Sequence, residues 1–117
     1  MEKIGFVEAI ARQEGWLVAG SRAQRNHNPG NIRFGSFAYR HGARSQDDQG
    51  FAIFPTDLQG FQALRELLEA HYAGMTLAQA IGKYAPEFEN DTGTYIKNVC
   101  QMTGQSATHI LSAEDFS

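Results

Sequence analysis

A chain of 117 residues, 42% hydrophobic and 20% charged, can bury one modest core but not two, so a single domain over 1–117 is expected and disorder is excluded. The formal net charge of −3 offers a polyanion such as nucleic acid no general attraction, and one cysteine, Cys100, cannot form an internal disulfide. Glu2, Lys3, Glu8, Arg12 and Glu14 interrupt any secretory leader, and no run approaches the roughly 18 apolar residues of a membrane span. Synthesis in the cytoplasm, without a signal peptide or membrane insertion, is therefore expected.

Ile4, Val7, Ile10 and Ala11 recur at helical spacing and Gly15 offers a stop, which predicts an amphipathic helix ending at Glu14. An acid at a helix exit meets the partial negative charge of the helix end. With Trp16 and Leu17 following, it also meets apolar surface. Both disfavour the ionised form and suit a general acid. A polar loop from Gly20 then closes on Asn28-Pro29-Gly30-Asn31, a turn signal because proline fixes φ and glycine accepts positive φ. Asn28 and Asn31 read equally well as groups that fix sugar hydroxyls or acetamido groups and as Asx residues that stabilise the turn. Beside them Trp16 offers a stacking face.

Residues 32–54 change character. Ile32, Phe34, Phe37 and Tyr39 interleave with polar residues, and Gly50 to Phe54 reads as a strand bounded by Pro55, with a polar, mobile connection over 40–50. Together they predict a small β-hairpin lobe. Thr56-Asp57-Leu58-Gln59 matches a capping box, after which Leu58, Phe61, Leu64, Leu68 and Tyr72 form the apolar stripe of a central core helix. A second box, Thr76 to Gln79, opens a shorter helix that buries Leu77, Ala80, Ile81 and Tyr84 and stops before Pro86. A last helix carries Tyr95, Ile96, Val99 and Met102 on one side, with Asn90 or Asp91 as its cap and Gly104 as its stop. The tail reads as a short turn from Ala107 to Leu111 that then frays. Cys100 reads as a half-buried helix thiol.

The runs ARQEGW, RNHNPGNIRFG, FAIFPTDLQGFQAL and YAPEFENDTGTYIKNVCQMTG, spread over roughly residues 4 to 104, resemble small phage and prophage proteins of the lysozyme-like superfamily. These are similar to lytic transglycosylases and to the glucosaminidase domains that cut peptidoglycan. The resemblance implies an α+β, mostly α fold, a lysozyme-like helical domain with a small β-hairpin lobe. It makes Glu14 the catalytic acid and places Tyr95, an aromatic hydroxyl from a late helix, over it. It sets Asp47 and Asp48, in the hairpin connection, toward the cleft as candidates for a second carboxylate, against the reading of a solvated loop pair.

Glycoside cleavage needs a proton delivered to the leaving oxygen while positive charge grows on the ring. A paired enzyme adds a second carboxylate. A lytic transglycosylase uses one glutamate as acid and then base while the sugar closes its own anhydro ring. Both routes stay open, and since no second acid stands out the single-glutamate route is the preferred of the two. The expected partners are glycan strands of peptidoglycan, reached through a phage or another export route, with virion or secretion-machinery proteins as further partners. The scattered His27, His41, His71 and His109 give no metal signature, and Walker, GxGxxG and GxSxG patterns are missing, so neither metal nor cofactor is expected. The alternatives are a virion or injection-apparatus structural protein that keeps this fold without turnover, and a plain helical interaction module.

Overall fold

The computed structural model describes residues 2–117. In chain order it contains α1 (Phe6–Gln13), α2 (Arg22–Arg25), α3 (Ser36–Arg40), β1 (Ser45–Gln46), β2 (Ala52–Ile53), α4 (Asp57–Tyr72), α5 (Leu77–Tyr84), α6 (Thr92–Thr103) and a closing 3₁₀ turn, Ala113–Phe116. This is a mostly α, α+β fold with one two-stranded antiparallel sheet. It falls into two compact units, Ile10–Leu67 on the one hand and the residues up to Ala9 with Leu68–Ser117 on the other. No helix is long and apolar enough to cross a membrane among the described residues.

In the Ile10–Leu67 unit, α1 ends through a Schellman arrangement. Gly15 takes φ +93°, its N–H donates to Arg12 O (3.1 Å), and the Trp16 N–H donates to Ala11 O (3.0 Å). Glu14 is therefore the helix C-cap, and Trp16 is turned back along the last turn. A core of Ala38, Ala43, Ala52, Phe54 and Ala63 lies beyond, with Ile32, Phe34 and Phe37 packed against it. Four alanines let backbones approach closely around one phenylalanine. The sheet pairs Ser45 with Ile53 and Gln46 with Ala52, and an isolated bridge joins Arg33 to Phe51.

Three expectations for this unit need correcting. The interleaved apolar residues after Ile32 do not form a strand past Arg33, because Ser36–Arg40 coils into α3. Phe37, Ala38 and His41 also stand at helical spacing, and burying Ala38 while stacking the Phe37 and His41 rings at 4.4 Å decides between the two periods. Leu58 is not in the core. It is 67% exposed, while Leu64 and Leu68 are fully buried, so the stripe of α4 starts a turn later than its first leucine. The Thr56 hydroxyl does accept from the Gln59 N–H (3.2 Å), but the Gln59 side chain takes the hydroxyl's own proton (3.0 Å) rather than reaching the cap backbone.

In the other unit, α5 opens on the full capping box, with Thr76 Oγ1 accepting from Gln79 N–H and Gln79 Oε1 accepting from Thr76 N–H. Asp91 caps α6 by accepting from the Thr94 N–H (3.1 Å), and Gly104 ends that helix at φ +75°. The tail does not fray. Leu77 N–H donates to His109 O and Leu111 N–H to Met75 O. The buried Phe116 ring meets Phe6 edge-on at 5.9 Å. Asp115 anchors this end: it accepts from Gln105 Nε2 (2.7 Å) and the Ser112 N–H (2.8 Å) and lies 3.1 Å from His109 Nε2. Burial pushes its carboxyl up, but these bonds outweigh that and hold it below the usual range.

Candidate functional site

The carboxylate at the exit of α1 is met by the turn that follows it in the same unit. Asn31 stands at φ +48°, a left-handed conformation that asparagine tolerates better than most residues. Its N–H closes the turn onto Asn28 O (3.0 Å). From there its Nδ2 group donates to Glu14 Oε1 and to the Glu14 backbone oxygen, each at 3.2 Å. One amide thus fixes both the acid and the end of the helix that carries it. The Asn31 Oδ1 atom is buried and accepts no hydrogen bond within the chain, which leaves a place for a donor. Glu14 itself is half-buried. Trp16, two residues on and also half-buried, meets the Phe61 ring of α4 edge-to-face at 5.2 Å, an arrangement favoured by the ring quadrupoles.

Asn28 does something different. It is fully buried, its Nδ2 donates to Ile32 O and Ala52 O, and its Oδ1 accepts from the Ile32 N–H, all at 2.9 Å. Of the two readings open from sequence, the structural one describes this side chain, which ties the turn to β2. Gly60 of α4 lets the same turn approach: a Cβ there would lie 2.0 Å from His27 O. Only hydrogen allows helix and loop to come so close.

Asp47 also has a structural task. Its Oδ1 accepts from the Gln49 and Phe51 N–H groups (2.9 Å each), and its Oδ2 accepts from Asn26 Nδ2 (2.9 Å) and faces Arg22 Nε at 3.7 Å. The Phe51 N–H bond, with the Asn26, Gln49 and Arg22 interactions, holds its carboxyl below the usual range against the opposing effect of burial. Far from being mobile, the connection between β1 and β2 is wound around this one carboxylate. Asp48 beside it is exposed. Tyr95 lies in the other unit, where it is 5% exposed and shares the buried side of α6 with Thr92 and Val99.

Sequence reading missed the partners that organise this region. Phe61 was assigned only to packing, and Phe51 passed as a strand residue, yet the Arg22 and Arg33 guanidinium groups lie over the Phe51 ring at 4.0 and 4.4 Å. The signal was present in the run of arginines without carboxylates, although the rings they cover are distant in sequence. Among the described residues, no group of three or more His, Cys, Asp or Glu is placed to hold a metal ion.

Comparison with known proteins finds the chain 34% identical over 102 residues to "Protein P5" of Pseudoalteromonas phage PM2. The match takes in 82% of this chain but 64% of that protein's length. No protein-family model matches, and no solved structure does.

Proposed function

We propose that the chain is a peptidoglycan-cleaving glycosidase acting on the β-1,4 bond between N-acetylmuramic acid and N-acetylglucosamine, with Glu14 as general acid. The observation that supports it most is the Glu14–Asn31 pair: an acid at a helix exit, oriented by an amide, next to an aromatic pair. Glu14 delivers its proton to the leaving glycosidic oxygen as the C–O bond breaks and positive charge grows on the ring. The Asn31 Nδ2 group then donates to the carboxylate that remains, and its unpartnered Oδ1 suits an acetamido N–H or a sugar hydroxyl. Trp16 supplies apolar surface for a sugar face.

Asp47, bound by three N–H donors, is poorly placed to serve as nucleophile or to activate water, and this favours the single-glutamate route of a lytic transglycosylase. There the ionised Glu14 takes back a proton as the sugar's own hydroxyl closes the anhydro ring. A second reading, a phage structural protein that binds wall or a protein partner without turnover, draws on the likeness to a phage protein. Loss of turbidity from purified peptidoglycan separates the two. Wild type clears it and folded Glu14→Gln does not, if the glycosidase reading holds. Equal inactivity of both supports the structural role.

A further inference from the structure

The net charge of −3 is divided unevenly. All the arginines lie in the Ile10–Leu67 unit and all the lysines in the other, so seven arginines face five carboxylates in the first and three lysines face eight in the second. From Gly15 to Gln46 there are five arginines, Arg22, Arg25, Arg33, Arg40 and Arg44, and no Asp or Glu at all. Among the described residues only Arg22 of these five has a carboxylate partner, Asp47 at 3.7 Å. The other four are exposed.

These side chains are not loosely held. Arg33 lies over Phe51 at 4.4 Å and donates from Nη1 to Gln49 O (2.9 Å), while Arg22 covers the same ring and bonds the Gln49 side chain. The guanidinium carbons of Arg22 and Arg33 are therefore no further apart than the sum of their two distances to the ring centre. Arg25 lies three residues after Arg22 on α2, one turn along the same face. Arg44 stacks on Tyr39 at 4.1 Å and bonds Tyr39 O and Ala43 O through Nη1, with Arg40 adjoining Tyr39 in the chain. Stacking and backbone bonds fix each plane while leaving other N–H groups of the fork for an anion, the geometry that favours arginine over lysine for carboxylate and phosphate.

We propose that these arginines form an anion-binding surface for the anionic oxygen groups borne by the cell-wall polymer, either carboxylates of its peptide stems or phosphates of polymers attached to it. The inference rests on the wall reading above and gives that polymer's charge a receptor on the same unit as Glu14. Single-stranded nucleic acid fits less well. It binds by stacking bases on open aromatic faces, whereas guanidinium groups already lie over the Phe51 and Tyr39 rings.

The test is sedimentation of folded Glu14→Gln protein with purified sacculi, in three forms: untreated, with carboxylates amidated, and with phosphate polymers stripped. Binding is expected to weaken steeply from 50 to 500 mM salt. Adding Arg25→Gln and Arg33→Gln is expected to weaken it about tenfold at low salt, at about threefold per arginine, while Arg33→Lys retains most of it. Loss on amidation identifies the carboxylates, and loss on stripping identifies the phosphates. Arginine variants that bind like their parent, binding indifferent to both treatments, or tighter binding of a single-stranded oligonucleotide would each overturn the proposal. Clearing assays with Glu14 intact keep the two claims apart: arginine-dependent binding without clearing removes the glycosidase reading alone, and normal binding and clearing by the arginine variants removes this inference alone.

Discussion

Replacing Gly60 by alanine tests how the turn bearing Asn31 is held, because two effects oppose each other there. Inside a helix the change ordinarily stabilises by about 1 kcal/mol, through backbone entropy. At position 60, however, the new Cβ would lie 2.0 Å from His27 O and 2.9 Å from Pro29 Cδ. The closest ordinary C–H···O approaches are roughly 3.3 Å, so the overlap with the carbonyl is about 1.3 Å and involves backbone on both sides. No rotamer relieves it. Overpacking of this kind costs about 1–3 kcal/mol and more where backbone must move, which outweighs the helix gain and leaves a net loss of about 2 kcal/mol. For a chain of 117 residues that corresponds to a fall in Tm of about 8 °C. Thermal melts read it directly. The single tryptophan, Trp16, reports locally, since its partner Phe61 is the next residue after the substitution and its emission should change in the folded variant. An unchanged or raised Tm would refute the close packing of α4 against the His27–Pro29 segment.

Three further outcomes follow from the same geometry. Asn28→Ala removes the three hydrogen bonds of a fully buried side chain and should cost about 3 kcal/mol, moving the urea midpoint down by more than about 1 M; an unchanged midpoint would return Asn28 to ligand binding. Asn31→Gly keeps the φ of +48° accessible but removes the amide, so the fold should survive while peptidoglycan clearing falls at least about tenfold; full activity would show that Asn31 does not orient Glu14. Asp47, Asp91 and Asp115 all titrate below the usual carboxylate range, and a depressed folded value means stability present above the unfolded value of about 3.9 and lost as pH falls through the folded values. Tm should accordingly hold above about pH 5 and drop between about pH 4 and 2, and a Tm that rises in that window would contradict the sign.

What could be read in the sequence is what short-range chemistry decides. The stop at Gly15, the box at Thr76, the cap at Asp91 and the end at Gly104 all depend on bonds within a few residues, and each is present. What could not be read depends on partners far along the chain. Asp47 looks like any loop acid until Asn26, 21 residues earlier, donates to it. Phe116 looks like the end of a fraying tail until Phe6 meets it. In the site, the place of Glu14 at the helix exit was legible, whereas the division of labour between Asn28 and Asn31 was not. Two asparagines of one turn differ only in which way the folded backbone points them.

The most direct measurement of the central claim is mass spectrometry of the glycan ends released from purified peptidoglycan by wild type and by Glu14→Gln. Wild type is expected to release new muramyl ends carrying a 1,6-anhydro ring, and the variant none. Released ends in equal amount from both proteins, or intact strands after prolonged incubation with folded wild type, would contradict Glu14 as the proton donor.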